Sequence, residues 1–156
     1  MKYKGRAQCL VVRDNKILMV KHSHKDDAWY CTPGGGIEEG ETPPQAALRE
    51  LQEECNVKGT VIKKTSEYCD PYDDENWFYT YYIDIGNQEP SLGCDPEDES
   101  DNPVLSEVRW MALCEISEVD RAFLWASGLI GIPQFAQELD NWERETSYPG
   151  KRDEKV

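Results

Sequence analysis

The amino-acid sequence predicts a mixed fold of strands and helices, of class α/β or α+β. Three observations predict it: short apolar runs typical of strands, one sharply bounded helical segment, and a length of 156 residues, which suits one domain. Hydrophobic residues make up 38% of the chain, enough for a core. We therefore expect a single domain over residues 1–148, followed by a flexible tail at 149–156.

The first strands are expected on either side of a tight turn. Apolar runs at 7–12 and 17–21 flank the dipeptide Asp14-Asn15, which is the pattern of a β-hairpin. Three consecutive glycines follow at 34–36. Because a glycine run allows unusual dihedrals and close backbone approach, we expect a loop there and not a strand.

The clearest helix is expected to begin after Thr42. This residue precedes two prolines and a glutamine at the capping-box position, all typical of a helix start. Ala47, Leu51 and Cys55 recur every four residues and form one apolar ridge. Asn56 then suits a left-handed cap at the end of the helix.

The second half of the chain predicts three more strands and two closing helices. We expect strands at 61–68, 77–85 and 108–113 and helices at 117–125 and 133–144. Residues 86–103 are polar and acidic, which predicts a surface loop of the length that often carries function.

The charge of the chain limits its partners and its location. Asp and Glu total 31 against 17 Lys and Arg, a formal charge of -14, so neither long nucleic acid nor a membrane surface is an expected partner. The six cysteines are widely spaced, and no signal peptide is recognisable, which favours free thiols in the cytoplasm. The uncharged stretch at 122–137 is expected to be core, although a homodimer is left open.

Three glutamates are the main candidates for chemistry. Glu50, Glu53 and Glu54 lie three or four residues apart along one edge of the expected helix, where like charges destabilise it. A divalent cation would turn that repulsion into coordination, because Mg²⁺ and Mn²⁺ prefer carboxylate oxygens. On their own, the three residues fit a solvated acidic face at least as well.

The residues around the glutamates decide between these interpretations. Gly35 is followed after five residues by Glu41, and after seven more by Arg49-Glu50-Leu51-Gln52-Glu53-Glu54-Cys55-Asn56-Val57. This pattern resembles the Nudix box of the MutT-like hydrolases, G-x5-E-x7-R-E-U-x-E-E-x-G-U, in which U is a bulky aliphatic residue. One position departs from it: Asn56 stands where the family has glycine, and asparagine also tolerates a positive φ.

The resemblance implies a fold and a metal site. The fold would be a Nudix-type α/β/α sandwich with a mixed β-sheet, and the box would form a loop–helix–loop. Glu41 and Arg49 would form a structural ion pair between loop and helix. The implied ligands of Mg²⁺, or of Mn²⁺ in its place, are the carbonyl of Gly35 and the carboxylates of Glu50, Glu53 and Glu54.

The resemblance also implies an activity. The chain would be a Mg²⁺-dependent pyrophosphohydrolase that cleaves the diphosphate linkage of a nucleoside diphosphate derivative, either ADP-ribose-like or a normal or modified nucleoside triphosphate. Glu53 or Glu50 would be the general base, and Glu97, Glu99 and Glu107 are candidates for an extra base or ligand. The alternative is a Nudix-fold nucleotide-binding regulatory domain without catalysis.

Two features leave the substrate open. The aromatic residues at 77–79 and 81 alternate along an expected strand, a pattern that fits base stacking or, more often, core packing. His22 and His24 lie in an expected polar link and could contact phosphate, although solvated loop histidines are more common.

Overall fold

The computed structural model describes residues 2–94 and 104–139, in which five strands precede the first α-helix, three strands follow it, and two further α-helices come last. The strands are Gly5–Leu10 (β1), Val12–Arg13 (β2), Lys16–His24 (β3), Asp27–Cys31 (β4), Gly34–Gly36 (β5), Thr60–Asp70 (β6), Asp73–Asp84 (β7) and Val104–Ala112 (β8). The α-helices are Pro43–Cys55 (α1), Glu118–Ala126 (α2) and Pro133–Leu139 (α3). The predicted mixed α+β class is confirmed.

Two sheets form the body of the protein. The first has the strand order β5-β1-β7-β6, and the second has the order β2-β3-β4, with β8 on the other edge of β3. β1 and β7 run parallel, whereas β1 and β5, like β6 and β7, run antiparallel, so the first sheet is mixed. The helix α1 lies in the crossover between the parallel strands and packs on β1.

The predicted turn at Asp14-Asn15 is present, but the hairpin around it is short. Both residues have positive φ, 51° and 59°, as a two-residue hairpin turn requires. The turn joins β2 to β3, with Val12 opposite Ile17. β1 instead pairs with β5 and β7, so the apolar run at 7–12 is divided between the two sheets.

The predicted loop at Gly34–Gly36 is wrong, because these glycines form the strand β5. Gly35 pairs with Ala7 of β1 in an antiparallel register. A Cβ atom on Gly35 would lie 2.3 Å from Oε1 of Glu50, so the missing side chain is what lets α1 approach the strand. The box therefore begins in a strand, continues through a loop, and then enters the helix.

The helix α1 begins and ends where the sequence predicts. Gln45 Oε1 accepts a hydrogen bond of 2.9 Å from the backbone N–H of Thr42, as in a capping box. At the other end, Asn56 adopts the left-handed conformation with a φ of 54°, and its N–H donates to the carbonyl of Gln52. The apolar ridge of α1 is fully buried against the first sheet.

The other face of the first sheet is covered by the last part of the chain. α2 begins after Ser117, as predicted, and the hydroxyl of Ser117 accepts a hydrogen bond from the backbone N–H of Asp120. The stretch at 122–137 contributes Leu124 and Phe135 to a second core cluster, as the core interpretation predicts. The first sheet therefore lies between α1 on one side and α2 on the other.

Several predictions fall partly outside the described residues. The expected loop at 86–103 has neither strand nor helix over 86–94. Its remaining residues, which include the candidates Glu97 and Glu99, lie outside the described residues. The same holds for the second part of the helix predicted at 133–144 and for the tail at 149–156. All six cysteines are free thiols. Within the described ranges, every helix is too short or too polar to cross a bilayer.

Candidate active site

Arg49 lies at the centre of the acidic cluster on α1. Its guanidinium forms a bidentate ion pair with Glu41, from Nε to Oε1 at 2.9 Å and from Nη2 to Oε2 at 3.1 Å. Nη2 also donates to the carbonyl of Gly36 at 2.8 Å. The structure thus contains the expected Glu41–Arg49 pair, and the pair ties the loop before α1 to the helix.

The same guanidinium reaches two of the three glutamates. Nη1 of Arg49 donates to Glu50 Oε1 at 2.8 Å and to Glu53 Oε2 at 3.1 Å. One cation therefore offsets part of the repulsion between the two carboxylates. Burial still raises the pKa of Glu50 to about 7, although Arg49 opposes this shift. A further positive charge beside Glu50 would stabilise its ionised form.

Glu54 is the most deeply buried of the three glutamates, with 3% of its side chain exposed. Its Oε1 accepts a hydrogen bond of 2.8 Å from the backbone N–H of Gly34. Its Oε2 has no hydrogen-bond partner among the described residues. Because positive charge stabilises a buried carboxylate oxygen that accepts no hydrogen bond, this atom marks a position that favours a cation.

His22 is a site residue that the sequence patterns did not place. It belongs to β3, which extends through the expected polar link, and its Nε2 lies 3.4 Å from Glu54 Oε2, an ion-pair contact. The ring stacks on Trp29, with centroids 6.1 Å apart. A hydrogen bond with Cys31 and the neighbouring Glu54 carboxylate raise the pKa of His22 to about 10. Val20 and His22 are two residues apart in β3, so their side chains point to the same face of the strand. A predicted strand that continued as far as His22 would have indicated this contact.

The donor set fits a hard divalent cation. Carboxylates are the ligands that Mg²⁺ and Mn²⁺ prefer, and a cation would stabilise both the Glu54 oxygen that accepts no hydrogen bond and the partly buried carboxylate of Glu50. As the side chains stand, no three His, Cys, Asp or Glu residues within 2–94 and 104–139 converge closely enough to hold an ion. The guanidinium of Arg49 donates hydrogen bonds to both Glu50 and Glu53 and takes the place of an ion between them. The ligand set Gly35, Glu50, Glu53 and Glu54 stays a prediction.

Glu107 lies on the other side of the second sheet from Glu54. It is on β8 opposite Lys21, and its Oε2 accepts a hydrogen bond of 2.9 Å from the hydroxyl of Tyr30. His22 follows Lys21 in β3, so its side chain points to the opposite face, toward Glu54. The structure therefore does not bring Glu107 to the acidic cluster, and its role as a base or ligand stays a prediction.

A cavity of about 200 Å³ lies on the face of the first sheet that is opposite α1. Its aromatic lining residues are Trp29, Tyr30, Tyr68, Phe78 and Phe123. Tyr68 and Phe78 stack with their ring centroids 5.0 Å apart. Thr32, two residues before Gly34, also lines the cavity, so the cavity adjoins the glycine strand that contacts Glu54.

The polar groups of the cavity are few and fixed. The side-chain amide of Gln8 donates to Thr80 Oγ1 and to Ser127 Oγ, both at 2.9 Å, which holds it against the sheet. Of the described residues that line the cavity, Asp120 is charged, and none is Lys or Arg. Of the aromatic residues at 77–79 and 81, Phe78 lines this cavity, whereas Tyr79 and Tyr81 are core residues on the α1 side.

Known structures share the fold. A NUDIX hydrolase from Nitrosomonas europaea superposes with a TM-score of 0.61 at 20% sequence identity, over 97% of this chain and 77% of that one. At this level of identity, the likeness shows the fold and nothing further.

Similarity in sequence extends over about half of the chain. Diphosphoinositol polyphosphate phosphohydrolase 3-alpha from Homo sapiens is 35% identical over 86 residues, covering 53% of this chain and 52% of that protein. Diphosphoinositol polyphosphate phosphohydrolase 2 from Mus musculus is 45% identical over 62 residues, covering 38% of this chain and 34% of that protein. The chain thus spans about half the length, or less, of these curated relatives.

The family comparison covers both parts of the candidate site. The family model described as the NUDIX domain matches residues 3–129, which include the acidic cluster on α1, the glycine strand and the residues that line the cavity. Because this match spans most of the chain and contains the box, the chain belongs to the NUDIX domain family.

Proposed function

We propose that the chain is a divalent-metal-dependent Nudix hydrolase that cleaves the diphosphate linkage of a nucleoside diphosphate derivative. The observation that carries this proposal is the set of three carboxylates on one helix, in which the buried Glu54 Oε2 accepts no hydrogen bond within the described residues and has His22 Nε2 as an ion-pair contact at 3.4 Å. His22 and Arg49 offset part of the repulsion among these carboxylates, and a bound divalent cation would offset more of it. Membership of the family supports hydrolysis of a diphosphate bond.

The reaction requires a water molecule to attack one phosphorus while the bridging P–O bond breaks. Mg²⁺ or Mn²⁺, held by Glu50, Glu53, Glu54 and the Gly35 carbonyl, would supply neutralisation of the diphosphate charge and a lowered pKa for water. Glu53 or Glu50 accepts the proton of the water at a carboxylate oxygen. The leaving phosphate carries away the electron pair of the broken bond.

Other residues hold this machinery in place. The N–H of Gly34 fixes one oxygen of Glu54, and the guanidinium of Arg49 orients Glu50 and Glu53 through one nitrogen while it is anchored to Glu41. Fixed carboxylates lose little conformational freedom when substrate binds, which favours a productive geometry.

The cavity supports a nucleoside as one part of the substrate. A planar base can stack on the aromatic walls formed by Tyr68 and Phe78. A densely phosphorylated group would require several cations, and the described lining of this cavity contains neither Lys nor Arg, although Lys2 and Lys4 line a larger cavity of about 630 Å³. The names of the two curated relatives make a diphosphoinositol polyphosphate the second candidate substrate.

The alternative of a regulatory domain without catalysis is disfavoured by the box itself. Every acidic position of the box is filled, Glu54 is buried, and Glu41, Glu50 and Glu53 are partly buried and held by Arg49. A binding domain has no need of such an arrangement. A cytoplasmic location and a homodimer stay predictions.

A substrate panel tests the proposal. The chain is incubated with ADP-ribose, normal and oxidised nucleoside triphosphates, dinucleoside polyphosphates, nucleotide sugars and a diphosphoinositol polyphosphate, each with Mg²⁺ and with EDTA. We expect Mg²⁺-dependent release of a nucleotide product from at least one nucleoside derivative. Turnover of the inositol compound alone would overturn the nucleoside assignment, and no turnover at all would favour the regulatory domain.

A further inference from the structure

Residues 91–93 cross the C-terminal end of α1, and we call them the capping segment. The N–H of Ser91 donates to the carbonyl of Cys55 at 3.0 Å, and the N–H of Gly93 donates to the carbonyl of Glu54 at 2.9 Å. The last carbonyls of a helix have no partner within the helix. Here a distant part of the chain satisfies two of them.

Asn56 strengthens this contact in a way that the glycine of the box cannot. Its backbone has a φ of 54°, which suits glycine and asparagine alike. Its side-chain amide donates to Ser91 Oγ and to the carbonyl of Leu92, both at 3.1 Å. The departure from the box therefore keeps the backbone conformation and adds two hydrogen bonds to the capping segment.

Gly93 is required by the closeness of the contact. A Cβ atom on Gly93 would lie 1.7 Å from the carbonyl oxygen of Glu53. That oxygen belongs to the backbone, so no side-chain rotation relieves the overlap. Any other residue at this position forces the capping segment away from α1 and breaks its hydrogen bond to Glu54.

The capping segment holds the last turn of α1, and this turn carries Glu53 and Glu54. Glu54 is confined between the N–H of Gly34 and His22, so a small shift of the last turn changes where its Oε2 points. The donors of the capping segment also reduce the negative potential that the carbonyl groups create beside the carboxylates of Glu53 and Glu54. Geometry and charge at the cluster therefore both depend on this contact.

We propose that Asn56 and Gly93 are positioning residues, which hold the last turn of α1 through the capping segment and thereby place Glu53 and Glu54 for cation binding and hydrolysis. This inference rests on the proposed function. Neither residue contacts the substrate or the reacting atoms. They act through the backbone of the helix.

The test compares Asn56→Gly and Gly93→Ala with two matched controls. Asn15→Gly makes the same exchange at another left-handed asparagine of similar φ, in the turn between β2 and β3. Gly131→Ala adds a Cβ whose nearest neighbour is 3.7 Å away. We expect kcat to fall about tenfold in Asn56→Gly and about a hundredfold in Gly93→Ala. KM should stay close to the wild-type value because the aromatic cavity is untouched. Both controls should behave as the wild type.

Three further readouts separate positioning from loss of folding. The affinity for Mn²⁺ alone, measured by calorimetry, should fall in the same order as kcat. The backbone amides of the capping segment should exchange hydrogen faster, while the near-ultraviolet circular dichroism stays native. In the double variant the two effects should be less than additive, because both act through one contact.

The proposal is overturned if Mn²⁺ affinity and kcat stay within about twofold of the wild type in both variants, since a misplaced carboxylate changes both. If Gly93→Ala does not fold, Asn56→Gly and Asn56→Asp decide alone, because both retain a tolerated backbone conformation. If the wild type turns over no compound of the panel, the proposed function fails. The capping proposal is then judged by Mn²⁺ affinity and amide exchange.

Discussion

The acidic cluster on α1 and the aromatic cavity lie on opposite faces of the first sheet and are built in opposite ways. The cluster comes from one stretch of chain, 35–57, and its ion pairs and hydrogen bonds are largely internal to that stretch. The cavity is assembled from β1, β3, β4, β6, β7 and α2, and much of its surface is aromatic. The residues proposed for the chemical step therefore come from one stretch of chain, whereas those proposed to bind the base come together only in the tertiary fold.

The largest effect is expected when the cluster loses a charge. Glu53→Gln and Glu54→Gln should each lower turnover about a thousandfold, because the amide is a poor cation ligand and cannot take a proton. The fold should persist, since Gln at position 54 still offers an oxygen to the N–H of Gly34. Initial rates with Mg²⁺ measure the effect, and the exposed Glu75→Gln serves as the control. Near-normal rates in both cluster variants would remove the cluster from the chemistry.

Removal of Arg49 should affect stability more than any other ion-pair change in the described part of the chain. Arg49→Gln leaves Glu41, Glu50 and Glu53 without their shared partner in a largely buried setting, and we expect a loss of about 3 kcal/mol in the free energy of unfolding. The matched change Arg109→Gln breaks an exposed pair with Glu115 and should cost less than about 1 kcal/mol. Urea denaturation measures the free energy of unfolding of both variants. Equal losses would show that the ion pairs of Arg49 stabilise the protein no more than an exposed ion pair does.

A change in the cavity should alter binding and leave the chemical step unchanged. Phe78→Ala removes one stacking partner, and KM for a nucleoside substrate should rise about tenfold while kcat stays near the wild-type value. Tyr72→Ala is the control, because Tyr72 is 97% exposed at the β6–β7 turn. An unchanged KM would mean that the base does not occupy the cavity. It would contradict the assignment of the chemical step to the cluster and of base binding to the cavity.

The smallest effect is expected at Glu107. Because Tyr30 holds its carboxylate away from the acidic cluster, Glu107→Gln should change kcat by less than about twofold. The same assay on Glu97→Gln and Glu99→Gln tests the other two candidates for an extra base. A loss in Glu107→Gln as large as that in Glu53→Gln would contradict the placement of the active site on the α1 side.

The local parts of this structure are those that the sequence predicts well. The start of α1 at Thr42 and its end at Asn56 follow from capping chemistry within a few residues, and the ion pair between Glu41 and Arg49 follows from the box. These features need no information about distant parts of the chain.

The features that the sequence does not predict all depend on contacts between distant residues. The glycines of β5 form a strand because β1 pairs with them and α1 packs over them, although glycine disfavours strands. His22 meets Glu54, and the capping segment meets the end of α1, only once the sheets have formed. The sequence does not predict the cavity for the same reason, since its lining residues come from six separate strands and helices.

Anomalous diffraction from Mn²⁺ in crystals of the protein would locate the bound cation directly. The account predicts a peak beside the carboxylates of Glu50, Glu53 and Glu54, and loss of that peak in Glu54→Gln. A peak confined to other acidic residues, such as those of the turn at 70–76, with none beside α1, would contradict it.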